Sequence, residues 1–467
     1  MSGQILVGRS NRRVPSSIAR PDVTPTILPP PIPTLASRDR RRMSHQPRFG
    51  TLMIPDERED EGPPNGLTLD DALALLQREN LNLRAKRLEI PQAEADILTA
   101  GLRANPFLYG DGQLLPYGQF DPKNNPGGPS QYDANVTLPI DWNLKRRSRL
   151  AVARRARNVV QALYQNAVRL EVANLYSTYV DALAARETAR YAHGAIESID
   201  AVLTTEKERR KAAADSRLEF DQIALQREAA RLGFVDADAA FRSSQRRLAV
   251  LLHLPIEQAP TLALRGSLHD RQPPAPPVEE LVAMALASRP DLAAFRLGIE
   301  RAKADIALAK ANRFSDLYLL YQPYTYQNNQ PYGSPSSRSW ALGATVSVPL
   351  WDRNQGNIRR STVNLQQTRI ETRGIEQQAI GEVHEAYQEY IVTRQMVERI
   401  EDELLPQARR VLDDNLELYR QGQVQMLNYL SAQRDYGEVV RQYRDILVRH
   451  RRAMLDLNTA VGERVLP

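Results

Sequence analysis

Cysteine is absent from this chain of 467 residues, which excludes disulfide bonds, cysteine-ligated metal sites and a lipid-anchored N-terminal cysteine. No stretch of 18 apolar residues occurs either, so the sequence predicts no transmembrane helix. The first 65 residues show no secretory signal, because prolines interrupt the apolar runs in that region. These absences leave the compartment of the protein open.

The sequence also lacks the short motifs of common catalytic and nucleotide-binding sites. It has no Walker loop, no GxGxxG and no HExxH. Its six histidines show no ligand spacing, and two of them, His193 and His384, fall on helices with a coiled-coil pattern. We therefore expect no enzyme activity, no cofactor and no metal site.

Aromatic residues make up only 6% of the chain, and the mean hydropathy is negative at -0.48. Such a composition, rich in Ala, Leu, Gln, Arg and Glu, favours long half-exposed helices over one large globular core. The 62 basic and 56 acidic residues leave a formal charge of +6, which is a weak indication of nucleic-acid binding. Residues 1–65 are rich in Pro, Arg and Ser and are predicted to be disordered.

An internal repeat organises the rest of the chain. The segment LDDALALLQRENLNLRAKRLEIPQAEADI, which begins at Leu69, aligns without a gap with VEELVAMALASRPDLAAFRLGIERAKADI, which begins at Val278. The alignment predicts a first structural repeat over 66–265, a proline-rich linker over 266–277 and a second repeat over 278–467.

Each repeat is predicted to run from a helix through two strands into long helices. We expect strands at about 106–118, 131–140, 315–326 and 338–350, and long helices at about 143–254 and 354–462. The second strand of each pair ends in a similar sequence, NVTLPIDWNLKRRSRL or VSVPLWDRNQGNIRR. Proline cannot donate to a strand ladder and aspartate caps helices, so Pro139, Asp141, Pro349 and Asp352 are predicted to mark the junctions of sheet and helix.

The long helices carry a heptad seam of apolar and small residues. In the second repeat the seam is Ala379, Val383, Ala386, Tyr390, Thr393, Val397, Ile400 and Leu404. In the first repeat it is Val168, Val172, Leu175, Tyr179, Ala182, Arg186 and Ala189, where Arg186 is the misfit. The stretch from Asn354 to Tyr419 corresponds to roughly 100 Å of helix, with Pro406 expected to kink or restart it.

The predicted strands alternate between apolar and polar residues. Ala134, Val136, Leu138 and Ile140 share one face, as do Leu342, Ala344, Val346 and Val348. Two isolated hairpins would leave four edges unpaired and be barely stable in water. An apolar-out, polar-in pattern is typical of transmembrane β-barrels, and pooling strands from several chains would remove every edge.

The repeat, the motif VSVPLWDRNQG and the segment YRQGQVQMLNYLSAQRDY together resemble the TolC-type outer membrane efflux family, over about residues 67–467. SVPLWDRNQGNI most resembles the metal-efflux branch that works with resistance-nodulation-division (RND) pumps. The resemblance implies a mainly helical homotrimer, with a twelve-stranded outer-membrane β-barrel continued by a twelve-helix periplasmic tunnel. It also implies a passive exit duct that meets a periplasmic membrane-fusion adaptor and an inner-membrane transporter of the RND or ABC type.

The same resemblance places the periplasmic tip of the tunnel at the loop of Gly422. In the family, acidic residues on the following helix form constricting rings, but Asn428 and Ser431 hold those places here. The first repeat keeps Asp221 where the second has Asn428, and Arg217 lies near the same tip. The resemblance therefore implies an adaptor-docking tip that lacks the acidic ring of the second repeat.

Two other functions stay open on sequence alone. A soluble coiled-coil scaffold with a basic, nucleic-acid-binding N-terminal region is favoured by the missing export signal and opposed by the lipid-like strands. A duct for polypeptide secretion, as in type I systems, shares the fold. We expect the efflux duct in the outer membrane, with membrane lipid as a partner and no nucleic acid.

Overall fold

Two very long helical rods set the dimensions of the fold, which a computed structural model describes for residues 62–114, 130–212, 217–268, 274–330, 333–421 and 423–466. The first rod is α4 (Lys145–Ala212), whose 68 residues extend over about 100 Å. The second rod consists of α8 (Gln355–Arg399), a π-helical turn (Ile400–Leu404) and α9 (Leu405–Arg420), and it has nearly the same length. The predictions for residues 1–61 lie outside the described residues.

Shorter helices pack along each rod in the same way in both halves. Helices α3 (Glu89–Gly101) and α5 (Arg217–Leu251) contact α4, whereas α7 (Pro290–Ala311) and α10 (Met426–Val461) contact α8. Helix α7 also packs against α4 and so joins the two halves. The remaining helical elements are α1 (Leu69–Glu79), α2 (Leu81–Arg87), a 3-10 helix (Ile256–Thr261) and α6 (Val278–Ser288).

The heptad seams account for this packing. Buried seam residues are Ala379, Val383, Tyr390, Thr393 and Ile400 in the second half and Leu175, Tyr179, Ala182 and Ala189 in the first. The misfit Arg186 lies beside the seam and binds the chain that follows the 3-10 helix. Its guanidinium donates to the carbonyl oxygens of Leu264 (2.7 Å) and Gly266 (3.0 Å) and pairs with Glu187 (2.9 Å).

The second rod changes its helical type just before a proline. The π-helical turn ends at Leu404, and Pro406 is the second residue of α9. The first N–H groups of a helix have no intrahelical acceptor, so the missing N–H of proline leaves no bond unmade within α9. The predicted restart of the helix at Pro406 is confirmed.

Four antiparallel strands form one sheet in the order β1-β2-β3-β4. They are β1 (Phe107–Leu114), β2 (Ser130–Ile140), β3 (Leu317–Asn328) and β4 (Ser337–Thr345). The two predicted hairpins form, and they also join, because β2 of the first half pairs with β3 of the second along almost its whole length. Among the described strands, only β1 and β4 keep a free edge.

One strand ends earlier than the sequence predicts, and another contains an irregularity. The strand expected over 338–350 ends at Thr345, so Val346 and Val348 lie beyond the sheet. Strand β3 contains Pro323 at an irregularity in its pairing with both neighbours. A bulge accommodates a proline inside a sheet because the extra residue needs no ladder hydrogen bond.

The C-terminal end of α10 is capped by two arginines, one in α4 and one immediately before α7. Arg169 Nη1 donates to the carbonyl oxygen of Thr459 (2.7 Å), and Arg289 Nη1 donates to that of Ala460 (3.1 Å). Gly462 follows in the left-handed region at φ 84°. The last carbonyls of a helix lack intrahelical partners, and cations are favourable at this end of the helix dipole. The arginines therefore fix the end of α10 in place.

Arg289 is also the centre of a buried ion network. It pairs with Asp291 (2.7 Å) and with Glu382 of α8 (2.6 Å), and Arg169 of α4 lies 3.4 Å from Asp291. The pKa of the Asp291 carboxyl is lowered overall. Burial alone would raise it, but the hydrogen bonds with Arg289 and the positive charges of Arg289 and Arg169 have the larger combined effect. The network therefore ties α4, α7, α8 and α10 together at one level.

Candidate functional site

The sheet has two chemically different faces. Strand register places these apolar residues on one face: Leu108, Tyr132, Val136, Leu138, Ile140, Leu317, Leu319, Tyr321, Tyr324, Tyr326, Trp340, Leu342 and Ala344. The other face carries Asp111, Gln113, Gln131, Asp133, Asn135, Thr137, Gln322, Thr325, Gln327, Ser337, Ser339 and Thr345, interrupted by Phe107, Tyr109, Tyr318 and Leu320. The first face suits lipid and the second suits water.

Hydrogen bonds between side chains cover the polar face. Asp133 accepts from Gln131 Nε2 (2.7 Å) and from Gln322 Nε2 (2.9 Å), which lies on the neighbouring strand. Asp111 accepts from Tyr109 Oη (2.9 Å) and stands directly opposite Asp133 in the register. Buried carboxylates are costly without hydration or hydrogen-bond donors, so this face suits contact with water.

Aromatic side chains lie near both ends of the apolar face. Tyr132 and Tyr326 stack at one end, with ring centroids 6.4 Å apart. Trp142 and Phe314 meet edge to face at the other end, 5.5 Å apart. Ten residues separate Tyr132 from Trp142, or roughly 33 Å along the chain and roughly 25 Å across a membrane at the usual tilt. This spacing matches the apolar band of an outer-membrane protein.

The junction from sheet to helix has the same geometry in both halves. Helices α4 and α8 each begin six residues after a proline, Pro139 or Pro349. The residue before each helix is left-handed, Leu144 at φ 56° and Asn354 at φ 58°. Pro139 itself still pairs in β2, opposite Tyr318, whereas Pro349 lies beyond β4.

The two predicted aspartates act differently at these junctions. Asp141 accepts from the backbone N–H groups of Lys145 (2.8 Å) and Arg146 (2.6 Å) and so caps α4. Asp352 accepts from the N–H of Asn354 (2.9 Å), one residue before α8 begins. Asp352 therefore shapes the turn that leads into the helix.

Asparagine side chains tie both junctions to the end of α7. Asn143 Nδ2 donates to the carbonyl oxygen of Ala311 (2.6 Å), and Asn354 Nδ2 donates to that of Ala309 (2.8 Å). Lys145 adds an ion pair to Asp316 at the start of β3 (3.0 Å). Sequence reasoning missed Asn143 and Lys145, whose only signal was their place just after the proline. These contacts hold sheet and rods in one rigid arrangement.

At the opposite end of the rods the two helical hairpins meet in an apolar cluster. Leu203 of α4, Ile223 of α5 and Tyr429 of α10 are buried there. Tyr419 and Tyr429 stack with centroids 6.1 Å apart across the α9–α10 connection. This cluster joins the first half to the second at the tip.

The tip residues predicted from sequence fall on the first turns of α5 and α10. Asp221, Asn428 and Ser431 are exposed, and the N–H of Asn428 donates to the carbonyl oxygen of Gln425 (3.0 Å). Arg217 is the first residue of α5, but its side chain lies outside the described part of the chain. Gly422 also lies outside it.

None of the helices in the described ranges has the length and apolar character needed to span a bilayer. Among the same residues, no group of three or more His, Asp or Glu side chains is arranged to hold a metal ion.

Comparison with known proteins extends these observations. Residues 281–463 match the sequence model of the outer membrane efflux protein family. The match covers most of the second half of the chain. The cobalt-zinc-cadmium resistance protein CzcC of Cupriavidus metallidurans is 24% identical over 417 residues, which cover 88% of this chain and 94% of CzcC.

Solved structures show the same fold. The crystal structure of CusC superposes with a TM-score of 0.67 at 17% identity, covering 85% of this chain and 93% of CusC. The CmeC outer membrane channel of Campylobacter jejuni gives a TM-score of 0.66 at 16% identity, covering 90% of this chain and 96% of CmeC. Two β-hairpins and long helices are thus the architecture of TolC-type channels, as predicted.

The family match and the shared fold support an efflux channel of the outer membrane with a periplasmic helical tunnel. Proteins of the matched family are channels and not enzymes. Channels of the family are trimers in tripartite systems.

Proposed function

We propose that three copies of this channel close their sheets into one twelve-stranded barrel in the outer membrane and pool their rods into a twelve-helix tunnel, through which substrates pass passively. One observation carries the proposal: a sheet with one apolar face ends in free edges at β1 and β4. In a membrane, unpaired strand edges cost several kcal/mol per backbone group, and closure removes them. An edge formed by β1 therefore requires β4 of a neighbouring copy.

Exposed apolar residues on α5 support the same assembly. Leu225 and Leu232 of α5 are seven residues apart and more than two-thirds exposed. Apolar residues at heptad spacing pack against another helix. Because this face of α5 is exposed in a single chain, a neighbouring copy in a head-to-tail ring would cover it.

The tip at the far end of the rods is proposed to dock a periplasmic adaptor, which connects the duct to an inner-membrane transporter. The docking surface would comprise Gly422, Arg217, Asp221, Asn428 and Ser431. An RND transporter for divalent transition-metal cations is the best-supported pump, because the curated relative CzcC is a cobalt-zinc-cadmium resistance protein. Growth of a deletion strain in graded zinc, cobalt and cadmium tests this part; equal tolerance with and without the gene would contradict it.

Engineered cysteines test the barrel directly, since the chain has no cysteine of its own. Tyr109→Cys on β1 is combined in turn with Ser339→Cys, Ala341→Cys or Gly343→Cys on β4, which share the polar face with it. Oxidation of one such pair should give covalent dimers and trimers in membranes. Disulfide formation needs Cα atoms within about 7 Å, which the neighbouring edge strand would provide.

Asn135→Cys, on the central strand β2, is the matched control for Tyr109→Cys. Paired with the same β4 positions it should give monomers only, because β3 separates β2 from β4. Monomers from every β1–β4 pair, or a purified protein that stays monomeric without detergent, would refute the shared barrel.

A further inference from the structure

Near the sheet, both rods carry positively charged side chains and no negatively charged ones. Residues 145–170 of α4 contain eight Lys or Arg and no Asp or Glu, and residues 355–370 of α8 contain three Arg and no Asp or Glu. The chain as a whole is nearly balanced, with 62 basic and 56 acidic residues. Positive charge is therefore concentrated where the helices leave the sheet.

Several of these arginines have no structural task among the described residues, and three of them lie closest to the sheet. Arg147, Arg359 and Arg360 are exposed, and no hydrogen bond or ion pair joins them to another part of the described chain. Their neighbours differ: Lys145 pairs with Asp316, and Arg146 Nε donates to the carbonyl oxygen of Gly101 (2.6 Å). We call Arg147, Arg359 and Arg360 the basic belt.

The basic belt lies at one depth below the sheet. At about 1.5 Å per residue, Arg147 lies roughly 3 Å along α4 from its first residue, and Arg359 and Arg360 lie roughly 6 to 8 Å along α8. The headgroup layer on each side of a bilayer is roughly 5 to 8 Å thick. With the apolar face in the hydrocarbon and Trp142 at its border, the belt falls at headgroup level.

A cavity of about 880 Å³ opens beside the belt, between α7 and α8. Its wall includes Arg359 and Arg360 of the belt together with hydrogen-bonding side chains, namely Asn312, Asn357, Ser361 and Asn364. Asp305 is the one acidic residue among the lining residues, so the two arginines leave the wall with net positive charge. Guanidinium and amide donors around a concave surface are suited to a phosphate group.

We propose that the basic belt binds anionic phospholipids of the periplasm-facing leaflet, with the headgroup phosphate in the cavity between α7 and α8. The inference rests on the proposed placement of the sheet in the bilayer. Each Lys or Arg at a membrane surface strengthens association with anionic lipid by roughly fivefold. The belt would thus select a phosphatidylglycerol-type lipid over a zwitterionic one and fix the depth of the channel.

The tryptophans of the chain supply the readout. Of its three tryptophans, Trp142 and Trp351 lie just before α4 and α8, whereas Trp340 lies in β4. In a W340F background, the trimer is reconstituted with brominated phosphatidylglycerol or brominated phosphatidylcholine. The extent to which each lipid quenches the fluorescence of Trp142 and Trp351 gives the relative association constants of the two lipids. Phosphatidylglycerol should be preferred, and R359Q/R360Q should lower that preference by up to roughly thirtyfold.

The matched control is R409Q/R410Q, which removes the same charge from α9, roughly 80 Å further along the rod. It should leave the lipid preference unchanged. R147Q tests the belt on α4 if the double variant does not form trimers, and it should lower the preference by roughly fivefold. High salt should weaken the preference in the wild type, because exposed charges are screened.

Several results would overturn the inference. Equal quenching by both lipids in a wild-type channel that conducts ions would overturn it and leave the proposed function standing. Unchanged preference in R359Q/R360Q, with a trimer weakened on size exclusion, would show that a second copy fills the cavity. Displacement of brominated lipid by inorganic phosphate at the same concentration would show an anion site without lipid docking. A protein that neither inserts nor conducts would refute the proposed function itself.

Discussion

Replacing Arg289 with methionine should release the C-terminal end of α10 from the rest of the channel. The Arg289 side chain is 3% exposed and binds Asp291, Glu382 and the carbonyl oxygen of Ala460. Methionine keeps most of the volume but leaves a buried carboxylate and a helix carbonyl without this donor. Breaking a buried ion pair on one side typically costs about 3 to 5 kcal/mol.

The lower end of that range applies here. Arg169 stays 3.4 Å from Asp291, and Glu382 is 37% exposed and can be hydrated. A cost of about 3 kcal/mol corresponds to more than a hundredfold increase in local opening. Hydrogen exchange measured by mass spectrometry on the detergent-solubilised trimer should show this increase in peptides that cover residues 452–466.

Arg296→Met is the matched control on the same helix. Arg296 also pairs with a glutamate of α8, Glu376 at 2.9 Å, but its side chain is 45% exposed. An exposed pair contributes about 0 to 1 kcal/mol, so exchange should rise fivefold at most. Similar exchange rates in R289M and R296M would refute the conclusion that burial determines how much an ion pair contributes to stability.

Three further predictions concern pH, selectivity and backbone strain. The pKa of Asp291 is lowered on folding, so its ionised form stabilises the protein above the unfolded value of 3.8 and this contribution is lost as the pH falls below it. Helix unfolding followed by circular dichroism should therefore show a loss of stability below about pH 4 that D291N lacks; the same loss in D291N would contradict this. N428D/S431D should raise the cation-to-anion permeability ratio in planar bilayers by about an order of magnitude at low salt, since it restores carboxylates to the tip; an unchanged ratio would place these residues away from the pore. Leu144→Asn should stabilise the junction by about 1 kcal/mol, because asparagine tolerates the φ of 56° better than leucine. L144A, which keeps the strained φ without that tolerance, should melt no higher than the wild type.

The tip residues stay predictions after the structure is known. Asn428, Ser431 and Asp221 are exposed on the first turns of their helices, yet which of them faces the pore depends on neighbouring copies. Their assignment came from a family resemblance, and a single chain contains no geometry that tests it. The selectivity measurement on N428D/S431D is the direct test.

Much of the fold followed from local pattern. The heptad seams, the restart at Pro406 and the alternation of Ala134, Val136, Leu138 and Ile140 depend on residues a few positions apart, and a helix or strand repeats its geometry over that distance. The misfit Arg186 was visible as an exception, but its partners are carbonyls 78 and 80 residues away. Sequence periodicity therefore identified Arg186 as an exception but did not predict which groups it binds.

The sequence pattern did not predict that β2 of the first half pairs with β3 of the second. Two amphipathic hairpins can stay separate or join into one sheet, and the outcome depends on whether β2 and β3 lie in register. The end of α7 binds the chain at both junctions and so helps to set that register. The bulge at Pro323 is part of the same fit.

The order of helices and strands, their lengths and their amphipathic faces were determined by the sequence itself, because each depends on the spacing of side chains along a regular backbone. Only the tertiary structure decided that four strands share one sheet with two free edges, and that Arg289 holds α10 against α8 across 93 and 171 residues of chain. Such contacts are set by the path of the whole chain, since many alternative pairings satisfy the same local pattern.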